Sequence, residues 1–150
     1  MRSGLAAIMA WALLSLLACA GEPAAPVIVA PPPSDKTRLY VYRDASTYGS
    51  QEWTAVSLSG MKIGDTAPGT VFYRDVTPGT YEVEVRSESP YPNQFPTARF
   101  AAGSTIFVKI EDHRGYSNSG FGVTRPTFSA IIADPTIAAA EIKLLRLVPG

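Results

Sequence analysis

The stretch that most constrains the fold of this chain covers residues 73–85 and reads YRDVTPGTYEVEV. In its second half, Tyr81, Val83 and Val85 alternate with charged or polar residues, and a period of two places these three side chains on one face of a β-strand. The preceding TPGT at residues 77–80 fits a type II turn, because proline presets φ at the second position and glycine accepts a positive φ at the third. The stretch therefore predicts a half-buried strand entered through a tight turn.

The composition also favours a β fold. Hydrophobic residues make up 46% of the chain and charged residues 17%, which is typical of a globular domain, while 13 prolines and 12 glycines indicate many turns. A chain of 150 residues is long enough for one domain with its own core. The formal net charge is zero, which argues against a nucleic-acid partner.

Alternation and β-forming residues predict about seven short strands and hence an all-β fold, an antiparallel β-sandwich. The segments concerned are residues 37–43, 53–58, 61–63, 70–74, 80–87, 97–100 and 105–111, with late strands around Pro126 at Val123 and residues 127–133. Asp134-Pro135 resembles a helix N-cap followed by proline, so a short C-terminal helix is expected at residues 136–143, with residues 144–148 as a possible end strand instead. Residues 44–51, 87–96 and 112–122 are expected to be surface loops.

The N-terminus is predicted to be a targeting segment rather than part of the fold. Arg2 is followed by an uncharged apolar run from Leu5 to Leu17, which is too short for a comfortable permanent transmembrane helix. The run ends in Leu16-Leu17-Ala18-Cys19, which resembles the lipobox of bacterial lipoproteins. The resemblance implies a signal peptide at residues 1–18, cleavage between Ala18 and Cys19, and acylation of Cys19 with a diacylglyceryl group and an N-linked acyl chain such as palmitate.

The same residues leave a second interpretation open. Ala18-Cys19-Ala20 also satisfies the A-x-A pattern of an ordinary secretory signal, whose cleavage would release a soluble protein that starts at Gly21. Under either interpretation Cys19 is the only cysteine, so an intramolecular disulfide and a thiolate site in the folded domain are excluded. Under the lipoprotein rule, Ala20 instead of aspartate implies sorting to the outer membrane, with the domain facing the periplasm.

Residues 19–36 are expected to form a proline-rich tether, and residues 37–150 the sandwich domain. The composition of residues 21–34 favours polyproline II, which extends by about 3.1 Å per residue. The alternative is a proline-rich ligand for an aromatic groove of a partner protein.

The domain resembles small bacterial envelope lipoproteins that are assigned to a domain of unknown function. The residues that carry the resemblance are 39–43, 56–60 with 63–64, 72–83 including Pro78-Gly79, 102–103 and 106–108. The turn and strand at residues 78–81 are also similar to those of carboxypeptidase-regulatory-like sandwiches. The resemblance implies a fold and a location but no activity.

No catalytic motif, metal site or cofactor is predicted from the sequence. His113 is the only histidine, and a zinc site needs three or four ligands, so we expect His113 to lie in a solvated turn. Neither a G-x-S-x-G elbow nor a P-loop is present. The chain is therefore expected to be a binding or structural module and not an enzyme.

Aromatic residues in three predicted loops are the candidate binding residues. Tyr48 and Trp53 border the first loop, Tyr91 and Phe95 lie in the second, and Tyr116 and Phe121 lie in the third. If these loops cluster at one end of the sandwich, they would form an aromatic platform for an envelope protein or a glycan. The alternative is that they fold back as lids over the core. The competing functions are a cell-wall glycan-binding accessory or hydrolase subunit, and a released secreted domain.

Overall fold

The computed structural model describes residues 25–45, 51–87, 94–114 and 126–150, and in these residues nine strands form two sheets. The strands are β1 (Thr37–Arg43), β2 (Thr54–Leu58), β3 (Met61–Thr66), β4 (Thr70–Val76), β5 (Gly79–Val85), β6 (Thr97–Phe100), β7 (Thr105–Arg114), β8 (Pro126–Ile132) and β9 (Arg146–Leu147). A single α-helix in this part of the chain, α1 (Pro135–Glu141), continues into a 3₁₀ turn at Ile142–Leu144.

The prediction of an all-β sandwich with a short C-terminal helix is confirmed, but its strand count and strand directions were wrong. The five-stranded sheet has the order β8-β7-β1-β4-β9 and is mixed, because β1 pairs in parallel with β7 and β4 pairs in parallel with β9. The four-stranded sheet has the order β3-β2-β5-β6 and is antiparallel. Alternation within a segment shows which face is buried but does not show which distant strand lies beside it.

The main core fills the space between the two sheets. The five-stranded sheet contributes Leu39, Val41, Phe72, Val108, Ile110, Phe128 and Ala130, and the four-stranded sheet contributes Val56, Leu58, Val83, Val85 and Phe100. These residues follow the period of two along each strand, as expected for sheets that pack face to face. The alternating strand that the sequence places at residues 80–87 is therefore a central part of this core.

A second core covers the outer face of the five-stranded sheet. Here Tyr40, Tyr42, Val71 and Phe107 pack against Ala138, Ile142 and Leu145 of the C-terminal segment, and against Val27 from the N-terminal segment. Strand β1 is consequently buried on both faces, since its inner residues belong to the main core and its two tyrosines to the second. The domain thus has three layers instead of two.

The N-terminal residues 25–30 lie against the sheet. Val27 is buried, the backbone N–H of Ala30 donates to the Tyr40 hydroxyl at 3.3 Å, and Arg38 donates to the carbonyls of Ala30 and Pro31. Val27 explains this packing, because burial of its apolar side chain against the apolar face of the sheet is favourable. The part of the expected tether that the structure describes therefore belongs to the packed domain.

The predicted type II turn at residues 77–80 is not formed. Gly79 is the first residue of β5 and does not have a positive φ, unlike Gly60, Gly69 and Gly103. The reason is that β4 and β5 belong to different sheets, so this connection crosses the sandwich and does not close a hairpin. Gly79 instead makes room for the Tyr81 ring, which would lie 3.2 Å from a Cβ at this position.

Most other local expectations agree with the structure. Strand β1 begins and ends at the predicted residues, β2 and β3 form a hairpin through Ser59-Gly60, and Gly103 has the positive φ of a turn residue. The Asp134 side chain caps α1 by accepting from the N–H groups of Thr136 and Ile137. The expected helix and end strand at the C-terminus are both present, but α1 ends at Glu141, two residues before the predicted end, and β9 covers two residues.

We expect Gly64→Ala to lower the free energy of unfolding by about 1–3 kcal/mol, the usual cost of forcing a methyl group into a packed core. A Cβ at Gly64 would lie 2.8 Å from two carbons of the buried Phe72 ring in the opposite sheet. Urea unfolding of Gly64→Ala, Phe72→Leu and the double variant measures this contact. Because leucine vacates the space of the ring edge, the double variant should lose less than the sum of the two single losses; additive losses would contradict the proposed clash.

Candidate functional site

A groove of about 450 Å³ lies on the outer face of the five-stranded sheet, between residues 25–30 and strands β4 and β9. Its lining includes Val27, Ile28, Tyr40, Tyr73, Arg146 and Leu147. Tyr73 and Leu147 are half-exposed, and Ile28 and Arg146 are exposed, so the groove offers both apolar surface and positive charge to solvent. Grooves that combine apolar walls with a few polar groups are the usual form of a ligand site.

Arg38 forms one wall of the groove, but its guanidinium is committed to structural contacts. It makes a bidentate salt bridge with Asp75, in which both N···O distances are 2.7 Å, and it lies over the Tyr73 ring at 4.7 Å from the ring centroid. The hydrogen bonds from Arg38 hold the pKa of Asp75 below its usual value, and the same pair raises the pKa of Arg38. Arg38 therefore clamps the N-terminal segment to the sheet, while Arg146 is the exposed cation of the groove.

A polar cluster fastens α1 to the outer face of the sheet. The buried Tyr42 hydroxyl donates to Glu141 Oε2 at 2.6 Å, and Lys109 Nζ contacts Glu141 Oε1 at 3.0 Å and Asp44 Oδ2 at 2.7 Å. The hydrogen bond from Tyr42, together with Lys109, lowers the pKa of Glu141, whereas burial and Glu141 raise the pKa of Tyr42. These contacts attach the helix to the sheet.

Arg43 organises the end of the sandwich where β1 finishes. It is 3% exposed, contacts Asp112 Oδ2 at 2.6 Å, donates to the Glu52 carbonyl at 3.1 Å, and lies over the Phe128 ring. Burial lowers the pKa of Arg43, and the charge of Asp112 opposes this shift. The buried Arg43 guanidinium thus connects the end of β1 with the residues just before β2 and with strands β7 and β8.

The flanks of all three aromatic loops meet at this end, which we call the loop end. The Phe128 N–H donates to Ser87 Oγ at 3.1 Å, Gln94 Nε2 donates to the Phe128 carbonyl, and the Ala130 N–H donates to the Gln94 carbonyl at 3.0 Å. These bonds join the flanks of the second and third loops, while Arg43 joins those of the first and third. An aromatic platform requires that the three loops leave the sandwich at the same end. The described strands meet this requirement.

The structure describes two of the six candidate aromatic residues. Trp53 is 56% exposed just before β2, and Phe95 is 38% exposed just before β6. Both precede strands that run in the same direction from the loop end, since β2 and β6 are each antiparallel to β5. Tyr48, Tyr91, Tyr116 and Phe121 lie outside the described residues, as do Ala18 and Cys19.

His113 lies in β7 and not in a solvated turn, so that expectation was wrong. The strand continues to Arg114 because it pairs with β8 along its whole second half. His113 Nε2 lies 2.7 Å from Ser129 Oγ, which is the spacing of a nucleophile and a general base. Ser129 is buried within the sheet, however, and in the described part of the chain no group of three metal-ligating side chains is close enough to hold an ion.

The groove is the feature that the sequence analysis missed. Its walls come from residues 25–30, from Arg38 and Tyr73, and from Arg146 and Leu147, which are far apart in the chain. The available signal was the isolated apolar sequence Val27-Ile28-Val29 within a proline-rich segment, which a pure spacer does not require.

None of the helices in the described residues is long and apolar enough to cross a bilayer.

Comparison with known proteins identifies a family. The model of a family described as a protein of unknown function (DUF2846) matches residues 33–121, more than half of the chain. The chain belongs to the DUF2846 family. Searches of curated proteins and of solved structures gave no match. Membership confirms the coarser part of the resemblance, a domain of unknown function, and brings no activity with it.

The DUF2846 match covers most strands of the two sheets but not the two ends of the described chain. It includes strands β1 to β7, and with them Arg38, Arg43 and Tyr73. It does not include residues 25–30 and α1, which cover the outer face of the five-stranded sheet, and it does not include strands β8 and β9 of that sheet. The groove therefore lies where the part of the chain that matches the family meets the part that does not.

We expect acid to weaken the attachment of α1. The folded-state pKa of Glu141 lies below its ordinary value of 4.5, so its contribution to stability is complete above that value and is lost as the pH falls through the folded-state pKa. Thermal unfolding should show a smaller acid-dependent loss in Glu141→Gln than in the wild type, together with lower stability at neutral pH. Glu82→Gln, which changes an exposed carboxylate of β5, should follow the wild type; a parallel pH profile for Glu141→Gln would contradict the assignment.

Proposed function

We propose that this protein is a lipid-anchored component of the bacterial cell envelope that acts as a non-catalytic binding module through its loop end. The observation that carries the binding role is the convergence of the three loop flanks around Arg43 and Phe128. Loops held on a rigid two-sheet frame are a common place for recognition sites. The exposed Trp53 and Phe95 supply aromatic surface there, and aromatic residues dominate the energy of many protein interfaces.

The anchor rests on the N-terminal sequence. The apolar run that ends in Leu16-Leu17-Ala18-Cys19 is the arrangement at which lipoproteins are acylated, and three acyl chains on Cys19 would bind a bilayer far more tightly than one, at about 0.8 kcal/mol per buried methylene. Ala20 favours the outer membrane, with the domain in the periplasm. If Cys19 is not acylated, the same domain would be a released secreted module.

The proposed partner is an envelope protein, and a cell-wall glycan is the second candidate. Both can use an exposed aromatic platform, since tryptophan provides a broad apolar surface with a hydrogen-bond donor. The relation to carboxypeptidase-regulatory-like sandwiches is also part of this proposal. It is supported by the two packed sheets.

The anchor is tested by intact mass and by membrane fractionation. The wild-type protein should be recovered in the membrane fraction, with a mature chain that begins at an acylated Cys19. Cys19→Ser should remain unprocessed and unacylated, while Ala20→Ser is a matched control that should behave as the wild type does. A mature wild-type chain that begins at Gly21 without acyl groups would show that the protein is secreted and not anchored.

The binding end is tested by photocrosslinking in cells. A photoreactive phenylalanine derivative at position 53 or 95 should give a discrete adduct in envelopes, recovered after wall digestion and identified as protein or as muropeptide by mass spectrometry. The matched control is position 61, because Met61 is 72% exposed in the β2–β3 hairpin at the opposite end of the four-stranded sheet. The binding role would be refuted by equal crosslinking at all three positions, or by adducts with lipid alone.

A further inference from the structure

The cover of the five-stranded sheet presents apolar side chains to solvent. Leu144 is 89% exposed and Ile28 is 82% exposed, and both are carried by segments that bury other residues against the sheet. Ile137 is also exposed and lies seven residues before Leu144, so both belong to the outward side of the helical segment. Leu147, which lines the groove with Ile28, extends this surface onto β9.

Positive charge accompanies these apolar residues. Lys143 and Arg146 are exposed on either side of Leu144 and Leu145, and Arg146 lines the groove next to Leu147. The nearest carboxylate along the chain, that of Glu141, is turned toward the sheet, where it contacts Tyr42 and Lys109. The surface formed by Ile28, Ile137, Lys143, Leu144, Arg146 and Leu147 is called the basal face below.

The chain path restricts what can cover the basal face. Ala25 is the sixth residue after Cys19, and six extended residues span about 20 Å at most. Residues 25–30 lie on the same outer side of the five-stranded sheet as the basal face, and Ile28 is part of it. Acyl chains on Cys19 would therefore hold this side of the domain within about 20 Å of the lipid surface.

We propose that the basal face lies on the anionic surface of the bilayer that holds the acylated Cys19. This inference rests on the proposed anchor. Exposed leucine and isoleucine side chains would enter the headgroup region, and Lys143 and Arg146 would contact lipid phosphates, as in amphipathic segments that lie in a membrane interface. The four-stranded sheet, on the opposite side of the sandwich, then faces away from the membrane.

The experiment measures the depth of single tryptophans in vesicles. Trp53 is the one tryptophan that remains after removal of residues 1–18, so Trp53→Phe provides a background without tryptophan. Leu144→Trp and Met61→Trp are introduced into it, and each acylated protein is reconstituted into phosphatidylcholine vesicles with brominated acyl chains, with or without phosphatidylglycerol. Both positions are exposed, so neither substitution alters the core; equal far-UV circular dichroism and equal flotation serve as controls.

The expected result is several-fold stronger bromine quenching of the tryptophan at position 144 than of that at position 61, with an increase when phosphatidylglycerol is present. Adding Lys143→Glu and Arg146→Glu should remove that increase. Equal quenching at both positions, in vesicles that float with the protein, would show that the basal face does not lie on the bilayer. The proposed anchor would not be affected by this result. If the protein carries no acyl group and does not float with the vesicles, the proposed anchor is wrong. The proposed contact of the basal face with the bilayer is then wrong as well. Concentration-dependent dimers in detergent that shield the tryptophan at position 144 would identify a second copy as the occupant and would also overturn the proposal.

Discussion

The burial of β1 on both faces is the constraint on which the rest of this structure depends. Its inner residues Leu39 and Val41 belong to the core between the sheets, while Tyr40 and Tyr42 point to the other side. A single central strand thereby requires two further layers, a second sheet inside and a cover outside. Without the cover, two tyrosines and Phe107 would be in water, and burial of each such ring contributes roughly 1.5–3 kcal/mol.

Polar side chains fix how the layers meet. Arg43 is enclosed at the loop end with Asp112, so loss of Asp112 would remove the opposite charge beside a buried guanidinium. On the outer face, Arg38 clamps the N-terminal segment through backbone carbonyls, and the Tyr42 hydroxyl clamps the helix through Glu141. These contacts hold the segments in position, while the apolar cores supply most of the driving force for folding.

The sequence predicts the local structure well and the long-range arrangement poorly. Alternation located β1 and the central strand β5, and the Asp134-Pro135 signal located the helix, because each depends on neighbouring residues. The parallel pairing of β1 with β7 joins residues that are 67 positions apart, such as Arg38 and Thr105, and no local pattern predicts it. The positive φ assigned to Gly79 failed for the same reason, since the turn type depends on whether the following strand pairs with β4 or crosses to the other sheet.

The same distinction explains which parts of the candidate sites could be foreseen. The loop aromatics were visible as residues, and the structure added that the three loops begin and end at one end of the frame. The groove and the basal face depend on the cover, which is built from residues 25–30 and the C-terminal helical segment, and on the edge strand β9, all outside the family match. A strand with tyrosines on its outer face requires some cover, but it does not specify which residues the cover shows to solvent. The exposed Ile28 and Leu144 are therefore not explained by the packing of the sheet, and a surface outside the domain is the simplest account of why apolar side chains occupy these positions.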